Sequence, residues 1–297
     1  MVGAGVMGLP MAQHAIRRGH PLAVYARDPG KVASLFDGGA RLVASPSAVA
    51  AGSDIVIGCL RDDQAVEQVY LGENGLLTAA RRGQVLVEHG TISPALARSL
   101  AERAAERGAA FLDVPVTGGP QRARDGQLTG IAGGAADALA SVTPLLGAYC
   151  SELVHVGPVG SGLELKLVNQ LLVSVHAAAA AEAAAMIARL GLDPEASKRV
   201  LVSGWASSVM LDHCLPAALT VDRSAAGASI GGLLEVQQLV ADLAASLKLP
   251  LRVFDATHQL FAEQVESGAA RFHLSQLARA YDEPGVPSGP RPERGNL

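Results

Sequence analysis

Lysine occurs at only four positions in this 297-residue chain, Lys31, Lys166, Lys198 and Lys248, and arginine supplies the rest of the Lys/Arg charge. Lys166 stands between Leu165 and Leu167, near the start of an apolar stretch. An amine desolvated there loses affinity for its proton and moves toward the range where it can both give and take one. Reduction of a carbonyl leaves an alkoxide that needs such a donor, so Lys166 is a candidate general acid/base for carbonyl–alcohol chemistry. A lysine snorkelling from a helix start is the plain alternative. Gln170 lies one helical turn further on the same face, and Asn169 lies within three residues. Either amide suits a substrate hydroxyl or carboxylate, whereas Glu164 points elsewhere and reads as surface.

Two further segments carry chemistry. Thr117-Gly118-Gly119-Pro120 follows the apolar run Phe111–Val114, and two successive glycines bare backbone N–H groups that suit an anion. A plain strand-to-helix turn is the competing reading. Gly3-Ala4-Gly5-Val6-Met7-Gly8 has the spacing G-x-G-x-x-G. There the first glycine permits a tight turn, the second lets a pyrophosphate approach the backbone, and the third allows close packing, while the following helix offers N–H groups to phosphate. Ordinary turns also use glycine, but here a helix over Met11–Arg18 and a strand over Leu22–Tyr25 follow in the order a dinucleotide site requires. After that strand the chain reads Ala26-Arg27-Asp28-Pro29-Gly30-Lys31. Ala26 stands where an acid would bind ribose hydroxyls, and Arg27 and Lys31 suit a 2′-phosphate. NADP is therefore expected in preference to NAD. The alternative is a solvated turn in which Asp28 neutralises Arg27.

The elements that must position these residues alternate. Strands are expected at Leu22–Tyr25, Ile55–Cys59, Val85–Glu88, Phe111–Val114 and Leu153–Val156, separated by helices such as Pro94–Arg107. This order implies a parallel sheet covered on both faces. Only Met1 and Val2 precede Gly3. The expectation is a stunted central strand or a chain that starts late, and the cost of losing most of such a strand favours the second. Beyond Gly162 strand signals end. Leu163–Leu190 reads as one long helix stopped by Gly191, with further helices at Pro194–Ser203, Ser208–Ala218, Gly232–Leu247, Phe254–Ser267 and Arg271–Tyr281. The expected organisation is an α/β doubly wound dinucleotide-binding domain over 1–160, an all-α domain over 161–281 joined through the long helix, and a disordered tail over 282–297. No internal repeat appears.

Composition agrees with a globular chain: 49% hydrophobic and 18% charged residues. A net charge of −4 argues against a general nucleic-acid binder. Cys59, Cys150 and Cys214 have no metal-ligand spacing and read as buried small hydrophobes in a reducing compartment. His213, His258 and His273 are far apart in sequence, so no metal is expected. His176 reads as a core or dimer-interface residue. No secretory pattern opens the chain, and the apolar stretch Ala177–Ala185 falls short of the roughly 20 residues of a membrane span. The expected location is the cytoplasm, with no membrane and no nucleic acid as partner.

Three ordered segments resemble the β-hydroxyacid dehydrogenases, the group of 3-hydroxyisobutyrate dehydrogenase, tartronate semialdehyde reductase and L-threonate dehydrogenase, within the 6-phosphogluconate dehydrogenase superfamily. They are Gly3–Met11 (GAGVMGLPM), Asp113–Gly119 (DVPVTGG) continuing through Ala123, Gly126, Leu128 and Gly133-Gly134, and Gly160–Gln170 (GSGLELKLVNQ). The resemblance runs from residue 1 to about 281. It implies a Rossmann domain followed by an all-helical domain, a homodimer or homotetramer, and reversible oxidation of a small β-hydroxy acid with NAD(P). It also implies roles. Lys166 would be the general acid/base. Thr117, Gly118 and Gly119 would hold the substrate carboxylate, with Asn169 and Gln170 beside the substrate. Gly3, Gly5, Val6, Met7, Gly8, Arg27, Leu60 and Thr91 would line the cofactor cleft.

The chain departs from the family pattern in places. Thr117 replaces a serine, and Gln170 replaces the second asparagine after the lysine. The family's later lysine-aspartate pair is missing, since the region reads Gly231-Gly232-Leu233-Leu234-Glu235-Val236-Gln237. Two other readings stay open: a reductase of the same architecture acting on another group such as an imine, and a cofactor-binding protein with vestigial catalysis.

Overall fold

The computed structural model describes residues 1–220 and 228–282. The expected disordered tail thus lies, apart from Asp282, outside the described residues. Two compact units divide the chain, Met1–Lys166 and a second beginning at Leu167.

The first unit contains strands β1 (Ala23–Val24), β2 (Arg41–Leu42), β3 (Ile55–Gly58), β4 (Val85–Glu88), β5 (Ala110–Asp113), β6 (Val116–Thr117), β7 (Leu128–Gly133) and β8 (Cys150–Gly157). Between them run helices α1 (Gly8–Arg17), α2 (Ala33–Asp37), α3 (Pro46–Ala51), α4 (Asp63–Leu71), α5 (Pro94–Glu106), α6 (Gly119–Arg124) and α7 (Ala136–Leu146). Strands β3, β4 and β5 are parallel neighbours. Their side chains alternate between two cores: Val56, Leu86 and Phe111 enter one, and Ile57, Val87 and Leu112 the other. A strand buried on both faces needs this unbroken apolar run, with helices covering each side. Helix α5 shows the local logic: Ser93 caps it by accepting from Leu96 N, Pro94 opens it, and Ala97, Leu100 and Ala104 form its buried stripe.

The sheet differs from the expected all-parallel order past β5. Strand β7 runs antiparallel to β5 and β6, and β8 pairs parallel with β7. The sequence of β7, LTGIAG, hides it. Glycine at 130 and 133 takes the place of the β-branched residues that mark strands, and a Cβ at Gly130 would lie 2.8 Å from Leu153 Cδ1.

Val2 takes the central position by itself. It bridges Tyr25 on one side and Gly58 on the other, donating to Ile57 O at 2.9 Å and accepting from Cys59 N at 3.1 Å. A cavity of about 410 Å³ is bordered by Met1, Ala12, Ala15, Leu22, Ala23 and Ile55. Burial pushes the Met1 amine down to about 5.

Helix α8 (Ser161–Leu190) is 30 residues long. Its last turn closes as a Schellman motif, with Gly191 N donating to Ala188 O and Leu192 N to Ile187 O, and Gly191 at φ 66°. The helix is longer and more apolar than Ala177–Ala185 alone suggests; by length and composition it passes for a membrane span. Its small-residue face, Ala177, Ala180, Ala181 and Ala184, packs into the core of the second unit with Leu211, Leu215, Phe261 and Leu277.

The other helices of that unit are α9 (Pro194–Ser203), α10 (Val209–Thr220), α11 (Ile230–Ser246) and α12 (Arg252–Gln264). The chain expected to extend α12 to Ser267 turns instead through a π turn at Val265–Ala269 containing Gly268 at φ 93°. The last expected helix is a 3₁₀ segment, Leu274–Tyr281, capped by His273. The fold brings His213 and His273 together, Nε2 to Nε2 at 3.1 Å.

Candidate active site

The loops that leave the carboxyl ends of the strands carry most of the chemistry foreseen in the sequence. In open α/β sheets this edge is where ligands dock. The glycine loop follows Val2. Gly3 has φ 81°, and a Cβ there would lie 2.3 Å from Cys59 O and 3.1 Å from Leu60 Cδ2. A Cβ at Gly8 would lie 2.3 Å from Gly3 O, so the first and third glycines pack on each other. A Cβ at Gly5 would meet nothing within 4 Å. The loop is thus tight beneath and open above Gly5, the shape a pyrophosphate needs to reach backbone N–H groups at the start of α1. Val6 is exposed and Met7 half-buried.

Beside this loop, Arg27 is exposed at the turn after β1. Asp28 turns back to accept from Gly30 N at 3.1 Å and pairs with Lys31 at 3.8 Å. Asp62 caps α4 through Ala65 N and pairs with Arg61 at 2.6 Å. That N–H bond, together with the charges of Arg61 and Arg27, holds the Asp62 carboxyl below the usual range.

The end of β5 is the tightest point. Asp113 is fully buried, and its carboxylate accepts from Gly160 N at 2.7 Å and Leu163 N at 2.9 Å. These are the N–H groups just before and within the first turn of α8, which no residue earlier in the helix can satisfy. Burial pushes the carboxyl upward against those two donors. Gly133 and Gly162 make the approach possible: Cβ atoms there would lie 2.5 Å and 2.8 Å from the carboxylate oxygens. Arg98 of α5 adds an ion pair with Glu164.

Asp113 therefore fixes two segments at once. Four residues later the chain reaches Thr117, half-buried and paired with Thr129, then Gly118 and Gly119 at φ 125° and 70°. Two successive left-handed residues exclude most side chains and turn the backbone out of the sheet. One turn beyond Leu163 along α8 comes Lys166. It is 7% exposed, and burial pulls its ammonium down to about 8. Asn169 and Gln170, half-buried, follow on the same helix within the unit that begins at Leu167. Asn169 Oδ1 is buried with no hydrogen-bond partner among the described residues.

Three buried groups went unnoticed as site residues in the sequence: Glu88, His89 and Asp113. Glu88 ends β4 and accepts from Leu60 N, Gly90 N and Tyr70 Oη. His89 meets Val114 O through Nδ1 at 2.6 Å and Tyr149 Oη through Nε2 at 3.0 Å. A carbonyl only accepts, so Nδ1 carries the proton and Tyr149 donates to Nε2. Burial pushes His89 down to about 4 and keeps it neutral. The signal that could have found them is a polar residue closing an apolar strand, as in VLVEH and FLD. Thr91 is half-buried next to this cluster in sequence. Cys150 and Cys214 are buried and Cys59 half-buried, and burial raises all three thiols to about 12. No group of three or more metal-ligating side chains gathers among the described residues.

Comparison with known proteins meets this geometry. Residues 1–157 match the NAD binding domain of 6-phosphogluconate dehydrogenase, and residues 160–281 match the NAD-binding domain of NADP-dependent 3-hydroxyisobutyrate dehydrogenase. The chain belongs to the 3-hydroxyisobutyrate dehydrogenase family of NAD(P)-dependent hydroxyacid dehydrogenases. Family members include the mitochondrial 3-hydroxyisobutyrate dehydrogenase of Pongo abelii, 33% identical over 93% of this chain and 84% of that one. L-threonate dehydrogenase of Cupriavidus necator is 33% identical over 88% of each chain. A solved 3-hydroxyisobutyrate dehydrogenase from Salmonella typhimurium shares the fold at a TM-score of 0.85 and 28% identity, covering 94% of this chain and 97% of that one. The family accounts for both units and for the long helix, which lies within the second matched region.

The Asp113 cap gives a direct stability test. Asp113→Ala should destabilise the chain by about 2–4 kcal/mol, the loss of a cap plus two stranded N–H groups. Asp113→Asn, which keeps one acceptor, should cost less. Denaturant midpoints measure both, and a change below about 0.5 kcal/mol in the alanine variant would show that α8 starts without this carboxylate.

Proposed function

We propose that this chain interconverts a small β-hydroxy acid and its aldehyde or ketone, using NADP(H) in preference to NAD(H), with Lys166 as general acid/base. The observation that carries the reading is the state of Lys166. A buried amine titrating near 8 holds both its protonated and neutral forms at working pH, as a reversible proton donor requires. Nicotinamide supplies or accepts the hydride when bound. Lys166 then gives a proton to the substrate oxygen in reduction and takes one in oxidation. Thr117 and the N–H groups at Gly118 and Gly119 receive the carboxylate. Asn169 Oδ1 accepts from a substrate hydroxyl, and Gln170, a turn beyond Lys166, orients the substrate. The glycine loop fits the cofactor: the open space over Gly5 leaves room for its phosphates. Arg27 faces the 2′-phosphate, supported by the absence of an acid at Ala26 and by the engagement of Asp28 with Gly30 and Lys31.

The chain forms a homodimer or homotetramer in this reading. Support comes from α8 itself, where Val168, Leu172 and Met186 stay exposed at helical spacing along one side. Light scattering of the full chain tests this, and a monomer at micromolar concentration would refute it.

Lys166→Met should keep cofactor affinity and lose about 10²–10⁴-fold in turnover. Lys166→Arg should not restore it, because a guanidinium does not release its proton near neutrality. Near-normal turnover in Lys166→Met would defeat the mechanism. The unaltered enzyme should oxidise faster as pH rises through about 8, where the neutral amine becomes the major form, and reduce more slowly over the same range. Stability carries the opposite mark. The folded chain holds this proton less tightly than the unfolded one, whose ordinary value is 10.5. The penalty is full below about 8 and fades as pH climbs to 10.5, so stability should rise across that window. Lys166→Met should remove it, gaining about 3 kcal/mol at pH 7.

Arg27→Ala should weaken NADPH at least tenfold while leaving NADH within about twofold. Fluorescence titration reads both, and equal or tighter binding of NADH by the unaltered enzyme would end the NADP assignment.

A further inference from the structure

Glu88 is a buried carboxylate that neither the reaction scheme nor the helix cap uses. It is 1% exposed at the carboxyl end of β4. One oxygen, Oε1, accepts from Leu60 N at 3.1 Å and Gly90 N at 2.7 Å, and the other accepts from Tyr70 Oη at 3.1 Å. Leu60 belongs to the loop after β3 and Gly90 to the loop after β4. These are separate strand ends, and one oxygen atom ties them together.

The packing around the carboxylate is built to admit it. A Cβ at Gly58 would lie 2.0 Å from Oε2, and one at Gly90 would lie 2.8 Å from Oε1 and 2.4 Å from Leu60 O. Leu60 in turn lies against Gly3, as the 3.1 Å approach of its Cδ2 to a Cβ there shows. A continuous stack therefore runs from the glycine loop through Leu60 to Gly90 and its neighbour Thr91, with Glu88 beneath it. Neither N–H has another acceptor within the tie, and two stranded donors would let both loops relax.

We propose that Glu88 is a positioning residue of the cofactor cleft: its Oε1 sets the spacing between the Leu60 and Thr91 loops and thereby the affinity for the nicotinamide dinucleotide. The proposal rests on the reading above that those loops face the cofactor. The acceptor geometry does the work, so glutamine should replace glutamate. Its Oε1 can accept from both N–H groups, and its Nε2 can donate to Tyr70 Oη. Methionine has similar length and no comparable acceptor.

The test is fluorescence titration of NADPH into the full-length chain and its Glu88→Gln and Glu88→Met variants, followed by kinetics at saturating cofactor and a thermal melt. Glu88→Met should raise the NADPH Kd about tenfold or more, Glu88→Gln by less than about threefold, and the cofactor KM should move far more than kcat. Cofactor binding within twofold of normal in a cooperatively melting Glu88→Met chain would overturn the proposal. So would equal losses in Glu88→Gln and Glu88→Met, which would assign the effect to charge. Should Glu88→Met not fold, Glu88→Asp replaces it: one methylene shorter, it should lose affinity while Glu88→Gln keeps it, and the reverse order would refute the tie. An unaltered chain that binds neither NADPH nor NADH would fail earlier and overturn the cofactor reading with it.

Discussion

The Asp113 carboxylate at the head of α8 is the contact on which the candidate site depends. A helix of 30 residues begins with N–H groups that no residue of its own can satisfy, and here the acceptor comes from the end of a sheet strand. The same strand end leads within four residues to Thr117 and the two left-handed glycines. Lys166 lies one turn into the capped helix. Strand, glycine turn and lysine are therefore set by one buried side chain, and side-chain freedom at Asp113 would pass directly into their spacing. Ion pairing between Arg98 and Glu164 adds a second, exposed hold, which is weaker in water.

A common device runs along this edge of the sheet. Strands that read as apolar end in a polar group, Glu88 and His89 after β4 and Asp113 on β5, and each group is buried and bonded to backbone of a neighbouring loop. Burial disfavours ionised carboxylates, and several backbone donors offset that cost. The arrangement lets irregular backbone lie close to the core without stranded polar atoms. Lys166 is held differently: burial lowers its affinity for a proton.

Much of this was legible in the sequence, and for identifiable reasons. The parallel strands at Ile55, Val85 and Phe111 are apolar on both faces, and the long helix has no interior breaker and a glycine at its end. Lys166 stood out by rarity, and the glycine spacings at 3–8 and 118–119 correspond to a tight loop and to two left-handed residues. Other features were hidden. Strand β7 reads LTGIAG, in which glycine stands where strand propensity would place valine or isoleucine. The terminal helix pattern over Arg271–Tyr281 gave way to a 3₁₀ segment after a left-handed Gly268 broke the preceding turn. Glu88 was read as a strand end, Asp113 as part of a strand and of a resembling segment, and His89 not at all, since a single polar residue after an apolar run looks the same whether it faces water or caps a distant helix. His213 and His273, sixty residues apart, meet only because α10 packs on the last 3₁₀ segment.

The crowding around Asp113 has a consequence for how such a chain can change over generations. A Cβ at Gly133 would lie 2.5 Å from the Asp113 carboxylate, and one at Gly162 would lie 2.4 Å from Ile131 O as well as 2.8 Å from that carboxylate, which sits there because the helix end demands an acceptor. Alanine at either glycine collides with an intact Asp113, while a smaller residue at 113 strands two N–H groups and leaves a void beside both glycines. Backbone as well as carboxylate bars a side chain at the two glycines, so shortening residue 113 does not free Gly162 to take one. Neutral drift at this corner of the molecule is therefore confined to exchanges that keep an acceptor at 113 and bare backbone at 133 and 162.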